Sequence, residues 1–258
     1  MATGISLVGH IGGEVMRIGV IGTGTIATAV VRGVAKTHEQ IIVGRRSKQN
    51  SQSLANQFSN VLVEDNQSVL DRSDIVLIGL LSEDSEAVLS ELRFRPDQKV
   101  VSMMAGVGLD TVAQMIKPAF AASVMIPFPG IETGGSPVIA LGDIELVQDI
   151  VTVRNTVYGV NCESELSAFL CAQAALSPIA SILSDAAYWL GERVSDETAA
   201  EAFLRHLVSS SLTNTGTQAL IDALNTPGGY NQRLRITMEK SGMREALLRG
   251  LTELNSQS

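Results

Sequence analysis

From residue 17 to about residue 142 the chain alternates short, nearly continuous apolar runs with stretches whose apolar positions recur at helical spacing. Apolar runs bounded by Gly, Asn, Asp or Ser read as buried strands, predicted at 17–21, 40–44, 61–63, 74–80, 99–104, 123–126 and 137–141. Between them the spacing predicts helices at 26–36, 51–58, 66–70, 85–91 and 110–116, with Asp110 as the expected N-cap of the last. A further helix is expected over 144–156. This pattern belongs to an α/β unit, a mostly parallel sheet covered by helices. After Tyr158-Gly159 the character changes, and from Glu163 onward no strand-like alternation remains. Leu166, Phe169, Leu170, Ile179, Ile182, Leu183, Ala186, Ala187 and Leu190 lie at helical spacing and predict one long helix, bent at Pro178. Ser195 or Asp196 is placed to cap a helix running from Glu197 past Ser210. Two or three more helices are expected in all, a final one covering 243–254 and closing the chain.

The first strand carries the most informative chemistry. Its apolar run ends in Gly22-Thr23-Gly24-Thr25-Ile26-Ala27, a Gly-x-Gly-x-x-Ala turn opening a helix whose free N–H groups can face a pyrophosphate. Gly22 would permit the tight turn, Gly24 the close approach of phosphates, and Ala27 the packing of helix on strand. At the end of the second strand, about twenty residues on, an NAD-binding fold places an Asp or Glu for the ribose hydroxyls. This chain has Arg45-Arg46-Ser47 there, suited to a 2′-phosphate through charge-assisted, forked hydrogen bonds. NADP(H) is therefore the expected cofactor, with a solvated surface pair as the alternative role of the arginines. The expected organisation is an N-terminal extension at 1–15, with Met16 a possible natural start, a Rossmann-type dinucleotide-binding domain at 16–162, and a helical substrate and dimerisation domain at 163–258. A self-contained helical bundle is the alternative for the last.

Composition narrows the setting. With 258 residues, 45% of them hydrophobic, the chain can bury one large core or two moderate ones. The net charge of −8 disfavours nucleic acid as a partner and suits a cytoplasmic protein. No apolar run reaches the roughly 18 to 20 residues of a membrane span, so no membrane association is expected. Cys162 and Cys171 are expected to be reduced and partly buried. His10, His38 and His206 show no spacing that supports a catalytic cysteine pair or a metal site, so no metal is expected.

A second constellation, Asn225-Thr226-Pro227-Gly228-Gly229-Tyr230-Asn231, lies between the C-terminal helices. Thr226 as N-cap, Pro227 at the first helical position and two glycines leaving N–H groups uncovered would make an anion site, or simply an ordinary helix start. Over residues 16–258 the chain resembles the pyrroline-5-carboxylate reductases, which use NAD(P)H to reduce a cyclic imine acid to proline. The resemblance rests on the glycine turn, Arg45-Arg46-Ser47, the segment Val101-Ser102-Met103-Met104-Ala105-Gly106-Val107, Thr226-Pro227-Gly228-Gly229, and the tail Glu239-Lys240-Ser241-Gly242-Met243-Arg244-Glu245-Ala246. It implies an NADPH-dependent enzyme of proline biosynthesis, and the small helical domain, rich in Ala and Leu, adds a homodimer or higher homo-oligomer as the expected assembly. Gly22, Thr23, Gly24, Thr25, Ile26, Arg45, Arg46 and Ser47 would hold the nucleotide, and Leu80, Leu81, Ala105 and Gly106 would form the nicotinamide wall. The substrate carboxylate would meet Thr226, Gly228, Gly229 and Asn231.

The chain also departs from that family. The Lys-Pro pair after the fourth strand is absent from Ile78-Gly79-Leu80-Leu81-Ser82-Glu83, and Met-Pro-Asn is replaced by Ile126-Pro127-Phe128. Gly-Ser-Gly-Pro is reduced to Leu176-Ser177-Pro178, and the Thr-Thr after the paired glycines becomes Tyr230-Asn231. Lost polar donors alter substrate choice, because closed sites discriminate strongly through hydrogen bonds. The expected reaction is reduction of 1-pyrroline-5-carboxylate or a related imine, with Asn231 as the best candidate to polarise the imine nitrogen and Tyr230 as an alternative donor. Competing readings are a deazaflavin-dependent NADP reductase, a hydroxyacid dehydrogenase, and a non-catalytic NADP(H)-binding sensor.

Overall fold

The apolar runs of the N-terminal half are strands because both sheet faces are covered, so that inward and outward positions alike must be apolar. In the computed structural model, which describes residues 10–11, 14–152 and 154–256, every residue of the three central runs is buried. The elements of this half are β1 (His10–Ile11), β2 (Glu14–Val15), β3 (Ile18–Ile21), α1 (Thr25–Val34), β4 (Ile41–Gly44), α2 (Lys48–Gln57), β5 (Val61–Glu64) and α3 (Asn66–Asp71). They continue with β6 (Ile75–Ile78), α4 (Ser82–Leu89), β7 (Lys99–Ser102), α5 (Leu109–Met115), β8 (Phe120–Pro127), β9 (Pro137–Gly142), α6 (Ile144–Val151) and β10 (Thr156–Val160). Apart from the small β1–β2 pair, the strands form one sheet in the order β10-β9-β8-β7-β6-β3-β4-β5. Within that sheet, among the described residues, only β8 and β9 pair antiparallel.

Successive residues of a strand point to opposite faces, and the core divides accordingly. Ile18, Val20, Ile41, Val43 and Leu77 pack with Val30, Val31 and Val34 of α1 and with Leu146 and Ile150 of α6. Ile21, Ile42, Val76, Ile78 and Val100 pack on the other side with Leu70, Leu89 and Val112. Each of these side chains contributes about 1.5 to 3 kcal/mol on full burial. The α/β expectation is met, with one strand more in the main sheet than the pattern showed, besides the β1–β2 pair.

That strand is β10. The helix expected over 144–156 stops at Val151, where Thr152 turns to φ 58°, and the chain then runs parallel to β9 from Thr156 to Val160. An edge strand with an exposed Tyr158 carries no continuous apolar signal, so the helical pattern of α6 reads on to its first residue and the strand itself goes unpredicted. A second correction concerns Asp110. The N-cap of α5 is Gly108, and Glu163 Oε1 accepts the Leu109 N–H at 2.8 Å, leaving Asp110 in the first turn. The expected extension at 1–15 falls largely outside the described residues.

The chain divides into two compact units, the first ending at Leu166. The second is entirely helical among its described residues: most of α7 (Glu163–Gln173), then α8 (Leu176–Gly191), α9 (Glu197–Asn214), α10 (Thr217–Ala223), α11 (Tyr230–Lys240) and α12 (Met243–Asn255). Four helices therefore follow α8, more than the pattern separated. The expected long helix is interrupted at Ala174-Ala175, upstream of Pro178, which sits in the first turn of α8, where no N–H is needed. Asp196 caps α9, its Oδ1 accepting the Ala199 N–H at 3.1 Å. By length and composition alone, an 18-residue segment within Glu163–Gly191, of mean hydropathy 1.7, is apolar enough to cross a membrane, a property shared by core helices of water-soluble proteins. No unbroken apolar run of span length occurs in it, because its hydropathy is spread over many alanines and interrupted by polar residues.

Candidate functional site

In an open parallel sheet the strands' C-terminal ends form a crevice where the chain order reverses. Here β3 lies between β4 and β6, so the reversal falls at the end of β3, where the Gly22 turn stands. Gly22 has φ +86°, and a Cβ on it would lie 2.6 Å from the Gly79 carbonyl oxygen, so glycine is required twice over. Gly24 is the N-cap of α1, and a Cβ there would meet nothing within 4 Å, leaving the N-terminus of the helix open to a phosphate. Ala27 packs against Gly79 at the end of β6, where a Cβ would come within 2.8 Å of its methyl group. Thr25 begins α1 and Ile26 follows it. Thr23 is fully buried and its Oγ1 has no hydrogen-bond partner, while its carbonyl oxygen accepts from Asn50 Nδ2 at 2.6 Å and from Thr28 Oγ1 at 3.3 Å. Asn50 of α2 thus pins the turn from outside, a role that no sequence spacing announced.

At the neighbouring strand end, Arg45, Arg46 and Ser47 follow β4 directly, and Ser47 is the N-cap residue of α2 without a cap bond from its side chain. The arginines line a cleft of about 550 Å³ with Asp65, Asn66, Val88 and Leu92. Each arginine meets a carboxylate at 3.1 Å: Arg45 Nη2 donates to Asp65 Oδ2, and Arg46 Nη2 to Asp84 Oδ2. The Ser68 N–H, donating to Asp65, and its hydroxyl hold the Asp65 carboxyl below the usual range, with Arg45 adding a smaller pull in the same direction. Neither aspartate was singled out by the sequence, because their contacts reach across 20 and 38 residues.

Two further groups complete the same edge of the sheet. Leu80, buried, and Leu81, two-thirds exposed, follow β6, while Ala105 and Gly106 follow β7 on an exposed turn with Gly106 at φ +78°. The expected cofactor residues of the first unit therefore gather along the ends of β3, β4, β6 and β7. Neither cysteine is in a disulfide; Cys171 is buried, whereas Cys162, expected to be partly buried, is exposed. Among the described residues no three His, Cys, Asp or Glu side chains group as a metal site would require.

The loop of the second unit differs from its expected geometry. Helix α11 starts at Tyr230 with Gly229 as its N-cap, so Thr226 and Pro227 belong to the preceding turn, where Gly228 has φ +74°. The Gly229 N–H is bonded to the Thr226 carbonyl at 2.9 Å, and the Gly228 N–H to Gln232 Oε1 at 2.8 Å. The two glycine N–H groups are therefore engaged within the loop. The first-turn N–H groups of α11 lack intrahelical acceptors, and Gly229 has no side chain to cap them. Tyr230 and Asn231 stand exposed beside them.

Residues 17–106 match the family described as NADP oxidoreductase, coenzyme F420-dependent. A pyrroline-5-carboxylate reductase of Aquifex aeolicus is 30% identical over 105 residues, 39% of this chain. The match spans about two-fifths, 38%, of that relative. Among solved structures, 1-pyrroline-5-carboxylate reductase from Streptococcus pyogenes superposes with TM-score 0.81 at 20% identity, over 94% of this chain and 98% of its own. The pyrroline carboxylate reductase of Plasmodium falciparum, solved with NADP bound, gives 0.80 at 13% identity over 94% and 96%. A reductive aminase from Aspergillus terreus, solved with NADPH and ethyl-5-oxohexanoate, gives 0.59 at 16% identity over 94% and 90%. The fold is that of the pyrroline-5-carboxylate reductases, and the resemblance read from the sequence is borne out at low identity.

Proposed function

We propose that a chain with this fold, this glycine turn and this basic strand end is an NADPH-dependent oxidoreductase that reduces a carbon–nitrogen double bond, its substrate a cyclic imine acid of the 1-pyrroline-5-carboxylate type. The observation that carries the reading is the placement of Gly22, Gly24 and the Arg45-Arg46 pair on adjacent strand ends at the point of chain reversal. Open space at Gly24 and an unpartnered Thr23 hydroxyl support a dinucleotide there. NADPH supplies the hydride when bound. The first unit's part is to hold it: the α1 N-terminus faces the pyrophosphate, Arg45 and Arg46 take the 2′-phosphate, and Leu80, Leu81, Ala105 and Gly106 form the wall beside the nicotinamide.

A protonated imine is already electrophilic, so the protein has mainly to position its carbon, orient its carboxylate and exclude water. We assign the carboxylate to the 226–231 loop, with Thr226 and Asn231 contributing side chains. The α11 first-turn N–H groups replace those of Gly228 and Gly229, which are bonded within the loop. Asn231 polarises the imine nitrogen. The exposed apolar residues of α8 and α9 support a homodimer built on the second unit, and two cysteines outside any disulfide support a reducing, cytoplasmic setting. A second reading, reduction involving a deazaflavin, is favoured by the description of the family that residues 17–106 match. That match covers only part of the first unit, whereas the pyrroline-5-carboxylate reductase fold extends over 94% of the chain.

The test is NADPH oxidation with 1-pyrroline-5-carboxylate, a six-membered cyclic imine acid, a non-carboxylated cyclic imine and, separately, an oxidised deazaflavin. Turnover confined to carboxylated imines is expected. Turnover of the deazaflavin alone would establish the second reading, and NADPH binding without turnover of any compound would point to a sensor. In the same assay Arg45→Ala with Arg46→Ala should raise the KM for NADPH about tenfold or more while changing that for NADH little. Equal losses would remove the 2′-phosphate assignment.

A further inference from the structure

We propose that Asp65 and Asp84 set how strongly this chain prefers a 2′-phosphorylated dinucleotide, by holding Arg45 and Arg46 as neutralised pairs that an incoming phosphate has to share. The inference rests on the cofactor reading above and goes beyond it. Two arginines at a strand end would make an unopposed cationic site, but here each guanidinium already has a counter-charge at 3.1 Å, and the formal charge of the four groups is zero. A phosphate monoester brings a charge of about −1.5 to −2 near neutral pH, so each carboxylate that stays in place repels it.

The geometry keeps the carboxylates in place. Asp65 is the N-cap of α3: its Oδ1 accepts the Ser68 N–H at 2.9 Å and its Oδ2 the Ser68 hydroxyl at 2.9 Å, so it cannot follow Arg45 toward a ligand. Asp84 stands in the first turn of α4, where the helix dipole favours a negative charge. Both contacts use a single guanidinium nitrogen, and the remaining donors of each arginine are free to turn toward the cleft. The arginines would therefore bridge carboxylate and phosphate rather than exchange one for the other. Preference for the phosphorylated nucleotide is thereby held below what two unpaired arginines would give.

The experiment is calorimetric titration of the full chain and of Asp84→Asn, Asp65→Asn and the double variant with adenosine 2′,5′-bisphosphate and with 5′-AMP. Asparagine keeps the shape at both sites and still serves as an N-cap at Asp65. Each variant is expected to bind the bisphosphate about three- to tenfold more tightly, with 5′-AMP unchanged and with the gain shrinking as NaCl is raised. Asp84→Glu should restore the original ratio, which a merely structural effect of residue 84 would not do. Weaker or unchanged bisphosphate binding in the variants overturns the proposal. If the unaltered chain prefers the bisphosphate and the variants gain nothing, only the counter-charge inference fails. If the unaltered chain binds both nucleotides equally and the variants gain nothing, the 2′-phosphate reading falls with it.

Discussion

His38 is buried just after α1 with its Nδ1 at 3.0 Å from the Val34 carbonyl oxygen, which makes that nitrogen the donor, while Nε2 is buried and lacks a partner. A proton on Nε2 would create a charge without an acceptor, and burial pushes the imidazole below its usual value of 6.5, against a smaller upward pull from Val34. The folded state therefore binds this proton less readily than the unfolded one. Its contribution to stability is complete above about pH 6.5 and is lost as pH falls through the unfolded and then the folded value. Thermal unfolding followed between pH 7.5 and 5.5 should show decreasing stability, by at most about 1.4 kcal/mol per pH unit from this group, and His38→Gln should flatten that part of the profile. At this scale the sequence disclosed residue types at strand ends, such as Gly22, Arg45 and Arg46, because their local spacing is itself the signal. Asp65, Asp84 and Asn50 were illegible, since each matters only through a contact made by the folded chain.

Among the elements, the strand-turn-helix of β3 and α1 is the one whose conformation and chemistry are most tightly joined. With φ +86° and the Gly79 carbonyl in the way, Gly22→Ala should cost about 2 kcal/mol or more and displace the turn. Dye-monitored melting and NADPH titration would show a lowered midpoint and weakened binding, and an unaltered midpoint would contradict the geometry. The contrast with β10 is instructive. Strands β3, β4 and β6 are buried on both faces, so their burial is written directly into a run of apolar side chains. Edge strand β10 is half wet, and only its pairing with β9 makes it a strand. The start of α11 was displaced for a similar reason: Thr226-Pro227 is a good helix-start pattern, but the Gly228 φ and the Thr226–Gly229 turn defer the helix to Tyr230.

For the whole molecule, the two units have opposite surfaces. The first buries its large side chains around the sheet, whereas among the described residues from 167 onward only Cys171, Gly191 and Ala200 are buried. Leu176, Ile179, Trp189, Phe203 and Leu207 are exposed by between 49% and 67%, and apolar surface of this extent supports the proposed association face. Light scattering at micromolar concentration should give a mass at least twice the 27.3 kDa of one chain. A monomeric mass would leave that face without an occupant and remove the homodimer from the proposal. Replacing Phe203 and Leu207 together by Asp should shift the mass toward the monomer while nucleotide binding by the first unit persists.

The α/β class, the helical second half, the position of the glycine turn and the basic residues after the second strand could all be read from the chain alone. All of these depend on interactions between residues close along the chain or on an unbroken pattern of burial. Tertiary structure decided the edge strand, the start of the helix after Gly229 and the counter-charges on Arg45 and Arg46. Those depend on which distant backbone or side chain happens to lie within bonding distance, and no local pattern records that.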